Sequence, residues 1–175
     1  MQRLSGLKRP ITAVLVACLT FSGLVYTNSA YAHTFSGDES ASFLALVESI
    51  RVELDLVQSN LANNATISEE HAEHAHEHLD EHTIEEISER NERLGRDLPA
   101  ALEDLHESVN NSTSAQIDAK VQNIRDLLDE TVTVRVERAQ LTNSTVQALF
   151  IANLADGVIE HYKESFGIET EDEHD

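Results

Sequence analysis

Residues 36–61 read SGDESASFLALVESIRVELDLVQSNL. Ser36 stands three residues before Glu39, the pattern of a helix capping box. Phe43, Val47, Ile50, Leu54, Val57 and Leu61 then recur in steps of three and four, the period of one helix face. This predicts an amphipathic helix of about 25 residues, ended by Asn63-Asn64-Ala65. An apolar stripe of that length must be buried against other elements, and the rest of the chain supplies helices rather than strands. Glycine is sparse, Pro99 is the only proline after residue 33, and apolar residues keep the helical period.

Thr66-Ile-Ser-Glu69 reads as a second capping box. It opens a helix whose thin apolar face is Ala72, Ala75, Leu79, Ile87 and Leu94, with Ile84 at its margin. Gly95 and Pro99 predict a stop or kink, followed by a short helix from about Leu98 to Val109. Thr113-Ser-Ala-Gln116 caps a third long helix through Ile117, Val121, Ile124 and Leu128. Thr131 to Val136 alternates like a strand, but its flanks are helical and no partner strand is evident, so it is assigned to helix. After a turn near Thr142-Asn143, a last helix carries Val146, Leu149, Phe150, Leu154, Val158 and Tyr162 and stops at Gly167. The expected fold is all-α: an antiparallel bundle of about four long amphipathic helices with one kinked or short extra helix. An elongated pair of helical hairpins is the rival arrangement.

The ends read differently. Arg3, Lys8 and Arg9 precede an apolar stretch from Ile11 to Val25, and Ala30-Tyr31-Ala32 has the small-x-small form of a secretory cleavage site. Residues 1–32 are therefore expected to be a cleaved signal peptide, 33–167 the helical domain and 168–175 an acidic disordered tail. A retained anchor, or lipid attached at Cys18 in Leu15-Val16-Ala17-Cys18, is the alternative. Cys18 is the only cysteine, so the exported domain has no disulfide and no thiolate ligand. The full chain carries a formal charge of −20. Losing three basic residues with the signal leaves nine Lys and Arg against 32 Asp and Glu, or −23. Such a surface repels nucleic acid and anionic lipid and attracts cations. Asn64, Asn110, Asn111 and Asn143 each begin an N-glycosylation acceptor pattern, all at expected turns.

The chemistry concentrates in His71-Ala-Glu-His-Ala-His-Glu-His-Leu-Asp-Glu-His82. On one continuous helix His71, His74, His78 and His82 fall in a band about 80° wide, and Glu85 and Glu89 extend it. Imidazoles and carboxylates three or four residues apart on a helix can chelate a transition metal, with zinc, copper or nickel suiting imidazole. His78 is then the central ligand, with His74 and His82 one turn to either side. If the Asn63-Asn64 turn makes an antiparallel hairpin, Asp55 lies level with His74 and Glu48 level with His82. His76 projects toward the apolar side and reads as a core histidine. His33 becomes an N-terminal copper chelate if cleavage follows Ala32. Glu73-x-x-His76 and Glu103-x-x-His106 have the form of a di-iron motif but lack a matching inward glutamate pair. His161-x-x-Glu164 stands alone on the last helix.

An exported, acidic, all-helical domain with this histidine-bearing helix resembles the periplasmic heavy-metal-resistance and sensing proteins built from helical hairpins. The resemblance rests on the His71 to His82 run and implies metal sensing or buffering. No phosphate-cradling loop, nucleophile elbow or Cys-His pair is present, so the expected role is non-enzymatic and extracytoplasmic, with divalent metal ions as partners. The competing reading is a structural or interaction module of the cell envelope, or an accessory subunit of a membrane complex, packed on a protein partner.

Overall fold

The computed structural model describes residues 36–165, with side chains 160–162 and 164–165 left aside. Residues 1–32, where a signal peptide is expected, His33, Gly167 and residues 168–175, where a disordered tail is expected, lie outside the described residues. Seven α-helices and no strand occur among those described: α1 Gly37–Asn60, α2 Ala65–Glu77, α3 Glu81–Arg90, α4 Glu92–Ser108, α5 Ser114–Arg135, α6 Arg138–Leu141 and α7 Ser144–Ser165. A 3-10 turn, Val109–Asn111, follows α4.

Helix α1 forms as its sequence dictates. Ser36 Oγ accepts from Glu39 N, and the Glu39 carboxylate accepts from Ser36 N in return. Its stripe of Phe43, Val47, Ile50, Leu54 and Val57 is buried. It meets Ala72, Ala75 and Leu79 from the α2 segment, Leu94, Leu98, Leu102 and Leu105 of α4, and Ile117, Val121, Ile124 and Leu128 of α5 in one core. α1 packs against α2, α5 and α7, and α4 packs against α2, α3 and α5. Thr113 and Gln116 form the expected capping box of α5. The 131–136 segment is helical through Arg135. Thr131 is buried with its hydroxyl donating to Leu127 O at 2.7 Å, a partner four residues back that a strand could not offer.

Three expectations about the second segment need correction. The cap is Asn64, whose side chain accepts from Ile67 N at 3.3 Å, two residues before Thr66, and the helix begins at Ala65. The histidine-bearing helix is not continuous: α2 ends at Glu77 and α3 starts at Glu81. Between them Leu79 turns into the core, and Asp80 caps α3 by accepting from Thr83 N at 2.7 Å. Finally, no stop falls at Gly95 or Pro99. The break lies at Asn91, whose side chain accepts from Arg93 N and Leu94 N. Both later residues sit inside α4, and the proline there forgoes one backbone hydrogen bond.

The cap at Asp80 has a pH signature. Hydrogen bonds from Thr83, side chain first and then backbone, hold the Asp80 carboxyl below the ordinary aspartate range. A depressed folded pKa adds stability above the unfolded value, and that stability is lost as pH falls through the folded value. Asp80→Ala is expected to cost about 1 kcal/mol near neutral pH. Urea unfolding should show the gap between variant and wild type closing in strong acid. A gap that persists there would mean that the charge of the cap contributes nothing.

Candidate metal centre

Helix α1 brings one carboxylate to the inside of the hairpin. Glu53 lies three residues after Ile50 and four before Val57, so it flanks the buried stripe, and it is only 5% exposed. A buried carboxylate is costly without a hydrogen-bonding partner, and α2 supplies one: His71 Nδ1 lies 2.7 Å from Glu53 Oε2. His74, one turn along α2, stands edge-on to His71, with ring centroids 6.2 Å apart and planes at 81°. Both imidazoles are half-buried. One ligand atom from each of Glu53, His71 and His74 falls within 4.8 Å of the others. Donors about 2.1 Å from a tetrahedral zinc ion sit roughly 3.4 Å apart. The three residues are thus a group that could hold a metal ion.

The small alanines of α2 make the approach possible. Ala72 and Ala75 are fully buried, and Ser68 Oγ donates to Val57 O across the hairpin at 2.7 Å. That bond and the Glu53–His71 contact fix the register, pairing residues near 57 with 68 and near 53 with 71. The tight turn over 61–64 sets this register, about one helical turn away from the level expected for Asp55 and Glu48. Asp55 instead pairs with Arg125 of α5. Glu48 accepts from Arg51 at 3.3 Å.

The other members of the predicted band are distributed around this group. His78, the last-turn cap of α2, is half-buried and shares a cleft of about 90 Å³ with Ser49, Val52, Glu53, Leu154, Gly157 and Val158. It borders the carboxylate without joining the three-residue group. His82 is on α3, exposed, with Nε2 3.5 Å from Glu86 Oε1. Glu85 and Glu89 are exposed on the same helix. The break at 78–80 thus removes His82, Glu85 and Glu89 from the line of His71 and His74. His76 is half-buried; Glu73 and Glu103 are both exposed, so neither Glu-x-x-His pair builds an inward carboxylate site. The His161 and Glu164 side chains and His33 lie outside the described residues.

No protein-family model, curated protein or solved structure matches this chain.

A second buried charge lies away from this group. Arg135 at the end of α5 is 7% exposed. It pairs with Glu86 of α3, and its guanidinium carbon lies 4.0 Å from the Phe43 ring centroid. Burial lowers its pKa, and Glu86 opposes that shift. It borders a separate cleft with Asp38, Glu39, Ser42, Leu46 and His82. Arg135 thus ties α5 to α3 and α1 beneath the Asp80 cap. No helix among the described residues is long and apolar enough to cross a membrane.

Proposed function

We propose that this protein binds a transition metal ion, zinc, copper or nickel, through Glu53, His71 and His74. In this reading it buffers or senses the ion outside the cytoplasm and catalyses no reaction. The supporting observation is the convergence of one buried carboxylate and two half-buried imidazoles from two helices, with ligand atoms within 4.8 Å. Two imidazoles and a carboxylate suit zinc, copper and nickel better than calcium or magnesium, which favour all-oxygen sets. Structural zinc sites close with four protein ligands, whereas three leave a coordination position for water. That openness suits an ion held reversibly.

The acidic surface concentrates cations near the site without choosing among them, and selection falls to the two imidazoles. Protein loaded with excess zinc, copper or nickel and then desalted is expected to keep one equivalent of at least one of these ions. Retention should weaken on acidification, because imidazole ligates only when neutral. Protein that keeps none of the three would leave Glu53 and His71 as a buried hydrogen-bonded pair and favour the interaction-module reading.

A further inference from the structure

Helix α7 has two apolar faces, and the fold uses one. Val146 is buried and Leu149, Phe150 and Leu154 are half-buried, while Asn153 Nδ2 donates to Ser42 Oγ of α1 at 3.1 Å. The opposite face is Ala148, Ile151, Ala152, Ala155 and Ile159, all exposed, with Val158 at its margin beside the His78 cleft. At about 100° per residue these five fall in a band roughly 100° wide. Ile151, Val158 and Ile159, at 62%, 64% and 50%, are the most exposed large apolar side chains among the described residues. A scattered surface isoleucine needs no explanation, but a continuous stripe marks an interaction site.

Charge and shape indicate what covers it. Residues 139–155 contain no Asp, Glu, Lys or Arg, in a chain of net charge −20. Two copies repel one another over most of their surfaces, and this stretch is where they can touch without opposing like charges. The stripe is also complementary to itself. With two copies antiparallel about a two-fold axis between Ala152 and Ala155, Ala152 faces Ala155 of the partner subunit, and these small side chains let the two helices approach closely. Ile159 then faces Ala148 of the partner subunit. Large side chains enter the space left by alanines, as knobs enter holes in paired helices.

We propose that α7 is a homodimerisation helix, docking on α7 of a second copy across this two-fold axis. The stripe is about 18 Å long and its pairing buries on the order of 800 Å² in total, the weak end of specific interfaces. The dimer is therefore expected in the micromolar range. This inference stands independently of the metal reading.

Sedimentation equilibrium of the full chain should show a concentration-dependent monomer–dimer equilibrium. Ile151→Glu and Ile159→Glu should each weaken it at least about tenfold, with helical circular dichroism unchanged. Ile67→Glu, at an exposed apolar position on α2, should leave it intact. Two variants guard against one that perturbs α7 itself. A wild-type monomer up to about 100 μM, a dimer indifferent to both substitutions, or one equally weakened by Ile67→Glu would overturn the proposal. A monomer whose stripe is covered by a different protein would overturn it as well.

Discussion

Gly95→Ala is expected to lower the unfolding free energy by about 2–3 kcal/mol, against the sign that helix propensity gives. In an exposed helix interior the same change stabilises by about 1 kcal/mol. Here a Cβ on Gly95 would come within 2.0 Å of Ser88 Oγ and 2.9 Å of Ser88 Cα. The hydroxyl is held by its own bond to Ile84 O at 2.8 Å, and the Cα is backbone, so the clash can be relieved only by moving α3 off α4. Leu94 and Leu98, both at most 1% exposed, would then lose packing. Urea unfolding of the two proteins gives the answer directly. Ser88→Ala in the Gly95→Ala background should recover part of the loss, since it removes only the nearest atom. An alanine variant as stable as wild type would refute the close approach of the two helices.

The second large effect concerns the metal centre. Replacing His71 and His74 together by alanine leaves Glu53 as the only member of the group. Zinc affinity is expected to fall by at least about 100-fold, or roughly 2.8 kcal/mol. His82→Ala should change it little, because that side chain is exposed on α3 beside Glu86. His78→Ala should have an intermediate effect, since His78 borders Glu53 in the neighbouring cleft. This ranking differs from the one that a continuous helix implies, in which His78 is central. Glu53→Gln, which keeps volume while removing charge, isolates the carboxylate from the packing role of the residue. Calorimetric titration that ranks His82→Ala beside the double variant would place the ion on α3 instead.

Much of the architecture was legible because long stripes at helical period admit few alternatives. Phe43 to Val57 and Ile117 to Leu128 were identified as core, and they are buried. The breaks were less legible because they depend on which polar side chain captures which amide. Asp80 and Asn91 are ordinary polar residues in sequence; each becomes a cap only once Leu79 and Leu94 are drawn into the core. Gly95 and Pro99 looked like punctuation. The glycine is instead required by the nearness of Ser88, a residue seven positions back, which local reading does not capture.

The site was legible in the same partial way. The histidine run pointed to α2, and His71 and His74 do lie together there. Glu53 was missed, although its spacing to Ile50 and Val57 already placed a carboxylate at the edge of a buried stripe. The levels expected for Asp55 and Glu48 centre the hairpin about two residues later than the structure does, and two residues at a turn shift facing positions by about four, one full turn. The exposed stripe of α7 was hidden for another reason: with apolar residues on both faces, the period alone does not say which face the bundle covers. Val158 shares the apolar period of the last helix with Val146 and is exposed, whereas Val146 is buried.

Following the histidine ring nitrogens by NMR during a zinc titration tests whether Glu53, His71 and His74 hold one ion. The His71 and His74 resonances are expected to shift together and saturate at one equivalent. Shifts confined to His78 and His82, with His71 and His74 unmoved, would contradict that assignment.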